Sequence, residues 1–524
     1  MSRSLLAGLA VLTPALAAQT PGHDAGHLGT VHFETSCAPA TRPTFEKGVA
    51  LLHSFGFTGA VKAFNDVLAV DSTCVVAYWG LALSAWGNPF AAGIKPNAQL
   101  ERGLGAVKRG QTLGGGTDHE RAFVAAVAKL YENYPSADQR TRVLAYRDAM
   151  ADIARRYPSD EEASIFYAAA LAFSADPNDK TYESQTRAAA ILEPLAARLP
   201  NHPGVAHYLI HAYDVPALAA KGVPAANRYA AIAPASAHAL HMPSHTYTRV
   251  GEWQESIATN LRSADAASAE GAVAETLHAN DYLMYAYLQT GQDSAAARVL
   301  AALPALAARY DANGPTTGAP PAAAYFAMAA IPARYALERG DWSGATRLEA
   351  HHTAFPFADA VTWFARGIGA ARMGDTVLSA DAVRQLGQLR DVLTQRKEAY
   401  WTQQVEIQSR GVDAWRAFAR GARTEALAAM RATADLEATT EKNAITPGPI
   451  VPARELLGEM LLASGDAGAA YKEFEATLVT EPRRYRAVVG AMRSAKAAGN
   501  SSAANRYTAQ LAQLTEHGDR APRR

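Results

Sequence analysis

Two helix-forming stretches joined by a glycine-centred turn recur along the chain, and this repetition constrains the fold more than any other feature. Near the C-terminus, LLGEMLLASGDAGAAYKEFEATLVTEP carries the turn glycine, Ala470 where two helices must approach, Phe474 on the second helix and Pro482 at its end. MYAYLQTGQDSAAARVLAAL repeats the scheme with Gly291 and Ala296. ARYALERGDWSGATRLEA does so with Gly340 and Trp342, and LLHSFGFTGAVKAFNDVLAVDSTCVVAYWG with Gly56, Phe57, Ala60 and Phe64. A single helix pair cannot bury its apolar face alone, whereas stacked pairs share one continuous core. Abundant alanine and short β-branched runs favour helices over strands.

These units resemble the tetratricopeptide repeat family, in a degenerate form, from about Thr44 onward. The expected fold is therefore all-α, a solenoid of helical hairpins. Two irregular connections interrupt it, YDANGPTTGAPPAAAYF and TTEKNAITPGPIVPAREL. The first divides the expected architecture into an N-terminal lobe, 44–310, and a C-terminal lobe, 311–524.

The leading residues MSRSLLAGLAVLTPALAAQT combine Arg3, a short apolar run and small residues at Ala15, Ala17 and Ala18. This pattern reads as a secretory signal peptide over 1–18, too short to span a bilayer. The expected location is periplasmic or secreted. Residues 19–43 then form an N-terminal arm. Cys37 and Cys74 are the two cysteines, and in an oxidising compartment they are expected to pair and tether that arm, free buried thiols being the alternative. Lys and Arg total 50, as do Asp and Glu; no basic stripe suggests nucleic acid, and no later segment is apolar for long enough to span a membrane.

Histidine is scarce and clustered. Seven of the fifteen lie between His202 and His278. His207 and His211 have i,i+4 spacing, as do His241 and His245, and the second pair follows the first by 34 residues. Residues three and four apart share a helix face. Aligning the turn glycines Gly251 and Gly291 sets His238 against His278, His241 against Asp281 and His245 against Tyr285. The family resemblance implies that such first-helix positions line the concave groove. Three neighbouring helices would then present these side chains to one ion, or to two.

The main expected ligands are His207, His211, His241 and His245; His238, His278 and Asp281 are additional ligands or orienters. Imidazole suits copper or zinc. HExxH is absent, because Tyr208 and Met242 follow His207 and His241, so the general base of the common zinc-peptidase helix is missing. Asp214, Tyr285 and Trp79 are candidates to line a pocket, with helix capping for Asp214 and packing for the two aromatics as the plainer roles. Pro243 is expected to kink or start the helix bearing His245. GQTLGGGTDHE lacks the Lys-Ser/Thr ending of a phosphate loop, and His23, His27 and His32 read as part of a loose tail. The leading function is an exported solenoid with a transition-metal site in its groove, open to catalysis. The alternative is a scaffold that binds a peptide or protein in that groove.

Overall fold

The computed structural model describes residues 27–91, 93–312, 314 and 317–520. The expected leader at 1–18, and His23, lie outside them. Every regular element among the described residues is helical, from Arg42–His53 to Ser501–Leu514. Each helix packs on its successor and often on the next but one: Pro356–Met373 and Ala399–Ala419 both contact Thr376–Gln395 and also touch each other. Val273–Gln289 relates to Asp293–Ala308 and Pro321–Glu338 in the same way. This is the neighbour-on-neighbour arrangement of a tetratricopeptide-like solenoid. The stack runs through the 311–320 connection, because the helices on either side of it pack together.

One large apolar core gathers residues between Leu28 and Tyr213. A second, apart from Ala91, gathers residues between Ala319 and Tyr507. Ala470 and Phe474 are both buried in it, as the small-residue contact expected of the repeat requires. Gly251 ends its helix at φ 75°, and a Cβ there would come within 2.6 Å of the Pro482 carbonyl oxygen. Glycine is thus needed twice over, for a left-handed backbone and for the close approach of the Pro482 backbone.

The N-terminal arm is packed from Leu28 onward, which corrects the loose-tail expectation for that part. Phe33 sits among Phe45, Trp79 and Phe123, and exposed His32 pairs with Glu46. Cys37 and Cys74 form a disulfide across 37 residues of chain. Closing such a loop in the unfolded chain corresponds to about 4 kcal/mol in the entropic account. The double variant Cys37→Ser/Cys74→Ser is therefore expected to melt several degrees lower than the oxidised protein. Equal melting curves would show that the arm holds without its tether.

The superhelix closes on itself. Trp253 donates its indole N–H to the Arg483 carbonyl, and the Tyr485 amide donates to Gln289. Lys180 and Tyr182 both reach Glu441. As a result the 440–450 connection lies over the central helices, where an open groove was expected. Its backbone polar groups find partners beneath it: Arg334 donates to the Gly448 and Pro449 carbonyls, and the Tyr282 hydroxyl lies 3.2 Å from the Thr446 carbonyl.

Candidate metal centre

Four helices carry the clustered histidines. His202 caps Pro203–Ala212 by accepting the Val205 amide, and Pro203 opens the helix at a position that needs no N–H. Ser236 caps Ala237–His241 in the same manner. Pro243 starts Pro243–Val250 rather than lying within it. Met242 stays helical between the two segments, so His241 and His245 flank a break yet still face one another. Val273–Gln289 completes the set.

The histidines form two triads, not one four-residue site. His207, His211 and His238 each offer a ligand atom within 4.8 Å of the others, and so do His241, His245 and His278. Each HxxxH pair thus takes its third member from the next helix but one along the chain. His238 and His278 are full members of the triads. The 34-residue offset sets His211 beside His245, and each pair reaches forward past one helix for its third imidazole. All six are buried. The triads adjoin: ring centroids lie 5.9 Å apart for His211 and His245, and 6.1 Å apart for His238 and His241.

Hydrogen bonds define the tautomers. His207 Nδ1 meets the His53 carbonyl at 2.5 Å, one of the free carbonyls at the end of Arg42–His53. A carbonyl only accepts, so Nδ1 bears the proton and Nε2 is bare. His238 Nδ1 lies 3.0 Å from Glu275. Burial alone would raise the Glu275 pKa, but His238 and its hydrogen bond hold it down at about 2, so Glu275 also only accepts. Among the described residues, Nε2 of His207, His211 and His238 is buried without a hydrogen-bond partner. Phe55, at φ 54°, turns its ring against His207 and His238, and Phe90 lies flat on His211 at 3.6 Å. Gly318 passes so close that a Cβ would strike the His238 ring.

In the second triad, His241 Nδ1 lies 2.7 Å from Asn260 Oδ1. The Asn260 amide is oriented by its NH₂ donating to the Ser256 carbonyl at 2.7 Å, so Oδ1 faces His241 as an acceptor. His245 Nδ1 lies 2.9 Å from Asp214. Burial would raise the Asp214 pKa, but Lys442, Arg249 and His245 hold it well below the usual range. Both Nδ1 atoms therefore donate. The two Nε2 atoms are bare, yet face each other at 3.1 Å. The buried Tyr282 hydroxyl lies 3.3 Å from His245 Nε2.

A third cluster shows the contrast. Glu162 bridges His53 and His202, accepting from both Nε2 atoms at 2.8 Å. His53 Nδ1 takes the Tyr208 hydroxyl at 3.1 Å and His202 Nδ1 takes the Val205 amide. Every nitrogen is satisfied, so this cluster is a hydrogen-bonded brace that positions the His53 carbonyl. The triads have no such closure. Burial, reinforced by neighbouring imidazoles, pushes His207, His211 and His241 well below the ordinary histidine pKa. Burial brings His278 to about 3, and also brings His245 to about 4 against the pull of Asp214. These imidazoles are neutral at pH 7, the form that binds metal.

Four residues singled out from the sequence lie apart from the triads or play other parts. Asp281 is in neither triad; its Oδ1 accepts from Arg334 at 2.9 Å, both side chains being fully buried. Trp79 lines no groove but packs against Phe33, Phe123 and Phe166 in the N-terminal core. Tyr285 reaches the C-terminal helices, accepting from Arg484 and lying 3.3 Å from Glu481. Asp214 caps no helix; it orients His245 and anchors Lys442 and Arg249. A cavity of about 310 Å³ reaches His211 and Asp214 between Phe90, Tyr182, Tyr400 and Lys442. The sequence reading missed Glu275, Asn260, Tyr282 and Lys442. Glu275 alone left a local signal, standing three residues before His278 on the same helix face.

No protein-family model matches the chain, and no curated protein sequence matches it. Solved structures similar to it in outline are helical-repeat proteins. The APC/C hetero-tetramer Cut9–Hcn1 is matched at TM-score 0.35 and 12% identity, over 91% of this chain and 88% of that one. A human IFIT1 dimer with m7Gppp-AAAA gives 0.35 and 10%, over 84% and 90%. Yeast Tom70 gives 0.26 and 12%, over 91% and 92%. At these values the functional reading rests on the chain's own geometry.

Proposed function

We propose that this is an exported transition-metal protein whose two histidine triads each bind one copper or zinc ion, with the adjoining cavity giving access to the metal. The observation that carries the reading is that four triad imidazoles turn Nδ1 to an acceptor, the His53 carbonyl, Glu275, Asn260 or Asp214, which leaves Nε2 of His207 and His238 buried without a partner and those of His241 and His245 facing each other. Metal-binding histidines are oriented in this way by outer acceptors. A hydrogen-bonded histidine ladder needs a proton between His241 and His245. Neither Nε2 supplies one, and two lone pairs at 3.1 Å repel. A cation turns that contact to attraction: with metal–nitrogen bonds of about 2.0–2.1 Å, the 3.1 Å separation subtends about 100° at the ion, close to tetrahedral. Three imidazoles leave one position of a four-coordinate ion open. The disulfide fits an oxidising compartment. No helix among the described residues is long and apolar enough to cross a membrane.

The scaffold alternative places a peptide in the groove, but the chain's own 440–450 segment lies there. Elemental analysis and melting curves of wild type, His211→Ala and His245→Ala, each with and without zinc or copper, test the proposal. Wild type is expected to bind two ions per chain. Each variant should weaken binding at its own triad by more than about 100-fold, since disturbing even an outer partner costs 10–100-fold. If wild type takes up neither ion at neutral pH, or both variants bind as tightly as wild type, the scaffold reading replaces this one.

A further inference from the structure

The adjacency of the triads is not needed for two independent ions. Helix Ala237–His241 gives His238 to one triad and His241 to the other, and His211 faces His245 across the second junction. Two ions held in this way would lie side by side among buried imidazoles, with the cavity reaching the first triad at His211. We propose, building on the metal reading above, that the triads hold a pair of copper ions acting as a single centre, and that the reduced pair binds dioxygen reversibly.

Charge argues for copper in its lower oxidation state. All six ligands are imidazoles, and a metal-bound imidazole brings no charge. The carboxylates touching them are Glu275 and Asp214, and Asp214 is already answered by Lys442 and Arg249. Two divalent ions would add four positive charges beside the Glu275 carboxylate and an Asp214 already ion-paired, a larger desolvation cost than two Cu(I) ions carry. Two Cu(I) ions add half as many. Copper also stands highest among the divalent ions for nitrogen donors, so the site can hold the oxidised state once a counter-anion arrives. Dioxygen supplies that anion. Each Cu(I) gives up one electron, the O–O double bond becomes a single bond, and peroxide carries the two added electrons between two Cu(II) ions. No proton moves, and the total charge of the pair plus ligand is unchanged, which suits a site walled by Phe55 and Phe90. One open coordination position per ion is what a bridging ligand requires, with typical two-metal spacings of about 3.5–4 Å.

The test uses the full-length protein loaded anaerobically with copper and excess ascorbate, then freed of reductant. On admitting dioxygen, an oxygen electrode should record one molecule taken up per two coppers. An intense near-ultraviolet charge-transfer band should appear and fade on deoxygenation, and the oxygenated sample should be silent in electron paramagnetic resonance because the two spins couple. His238→Gln and His278→Gln should each keep one copper, lose the band and show an ordinary Cu(II) signal after oxidation. Two bound coppers that give two full Cu(II) signals, or that take up no dioxygen, overturn the coupled centre and leave the metal reading standing. Failure of the wild type to load copper or zinc at all removes both.

Discussion

Asp214→Asn should destabilise the protein by about 3–5 kcal/mol at pH 7, the usual cost of stripping one partner from a buried ion cluster. The Asp214 carboxylate is one of the most heavily used groups in the molecule: it accepts from His245 Nδ1, Lys442 Nζ and Arg249 Nε, each at 2.9 Å. The amide is isosteric but neutral. It leaves Lys442 buried without its paired carboxylate and Arg249 with only the more distant Glu441, at 3.9 Å. It also frees His245 to adopt either tautomer, so metal affinity at the second triad should fall about 10–100-fold. The pH dependence identifies the cause. Burial already depresses the Lys442 pKa to about 8, and loss of Asp214 should depress it further. The unfolded chain then holds more protons than the folded one, so stability of the variant should recover as pH rises toward 10. Adding Lys442→Met should restore part of the loss at pH 7. Urea denaturation of the three proteins measures this; a loss under about 1 kcal/mol at pH 7 would mean that Asp214 anchors nothing.

The metal-free protein should lose on the order of 5 kcal/mol of stability between pH 7 and pH 5.5. His207, His211, His241, His245 and His278 all have depressed pKa values in the folded state, with burial the leading cause. In the unfolded chain the same groups take up protons near pH 6.5. Their contribution is therefore fully present above about pH 6.5 and declines as pH falls, because the unfolded state binds protons that the folded state refuses. Each such group contributes up to 1.36 kcal/mol per pH unit. Glu162 and Glu275, both near 2, extend the decline below pH 4.5 with the same sign. Bound copper or zinc should shift the whole decline to lower pH, since it stabilises the folded state in proportion to its occupancy. Urea midpoints of metal-free protein at the two pH values decide the matter. Equal midpoints would show that the imidazoles are not held neutral by the fold.

Much of the candidate centre was legible in the sequence. The HxxxH pairs, their 34-residue offset and the alignment of His238 with His278 named all six members of the triads. Helix periodicity accounts for that: i,i+4 residues share a face whatever the tertiary structure does. The grouping was not legible. It depends on how far each helix is displaced along its neighbour, and Pro243 resets that displacement by restarting the helix between His241 and His245. Asp281 was expected near the ion because alignment set it against His241, but Arg334, 53 residues on, claims its carboxylate.

The sequence by itself determined the helical hairpins and the helix faces on which the histidines fall, because glycine turns, caps and 3.6-residue periodicity act over a few residues. The tether between Cys37 and Cys74 was also within its reach, since two cysteines allow one bridge. Tertiary structure alone decided the charge and tautomer of the site. The His53 carbonyl meets His207 across 154 residues, Lys442 meets Asp214 across 228, and the Thr446 carbonyl meets Tyr282 across 164. Nothing local marks these partners, because closure of a superhelix sums small rotations over every repeat, and that sum places 440–450 over the helices that carry the histidines.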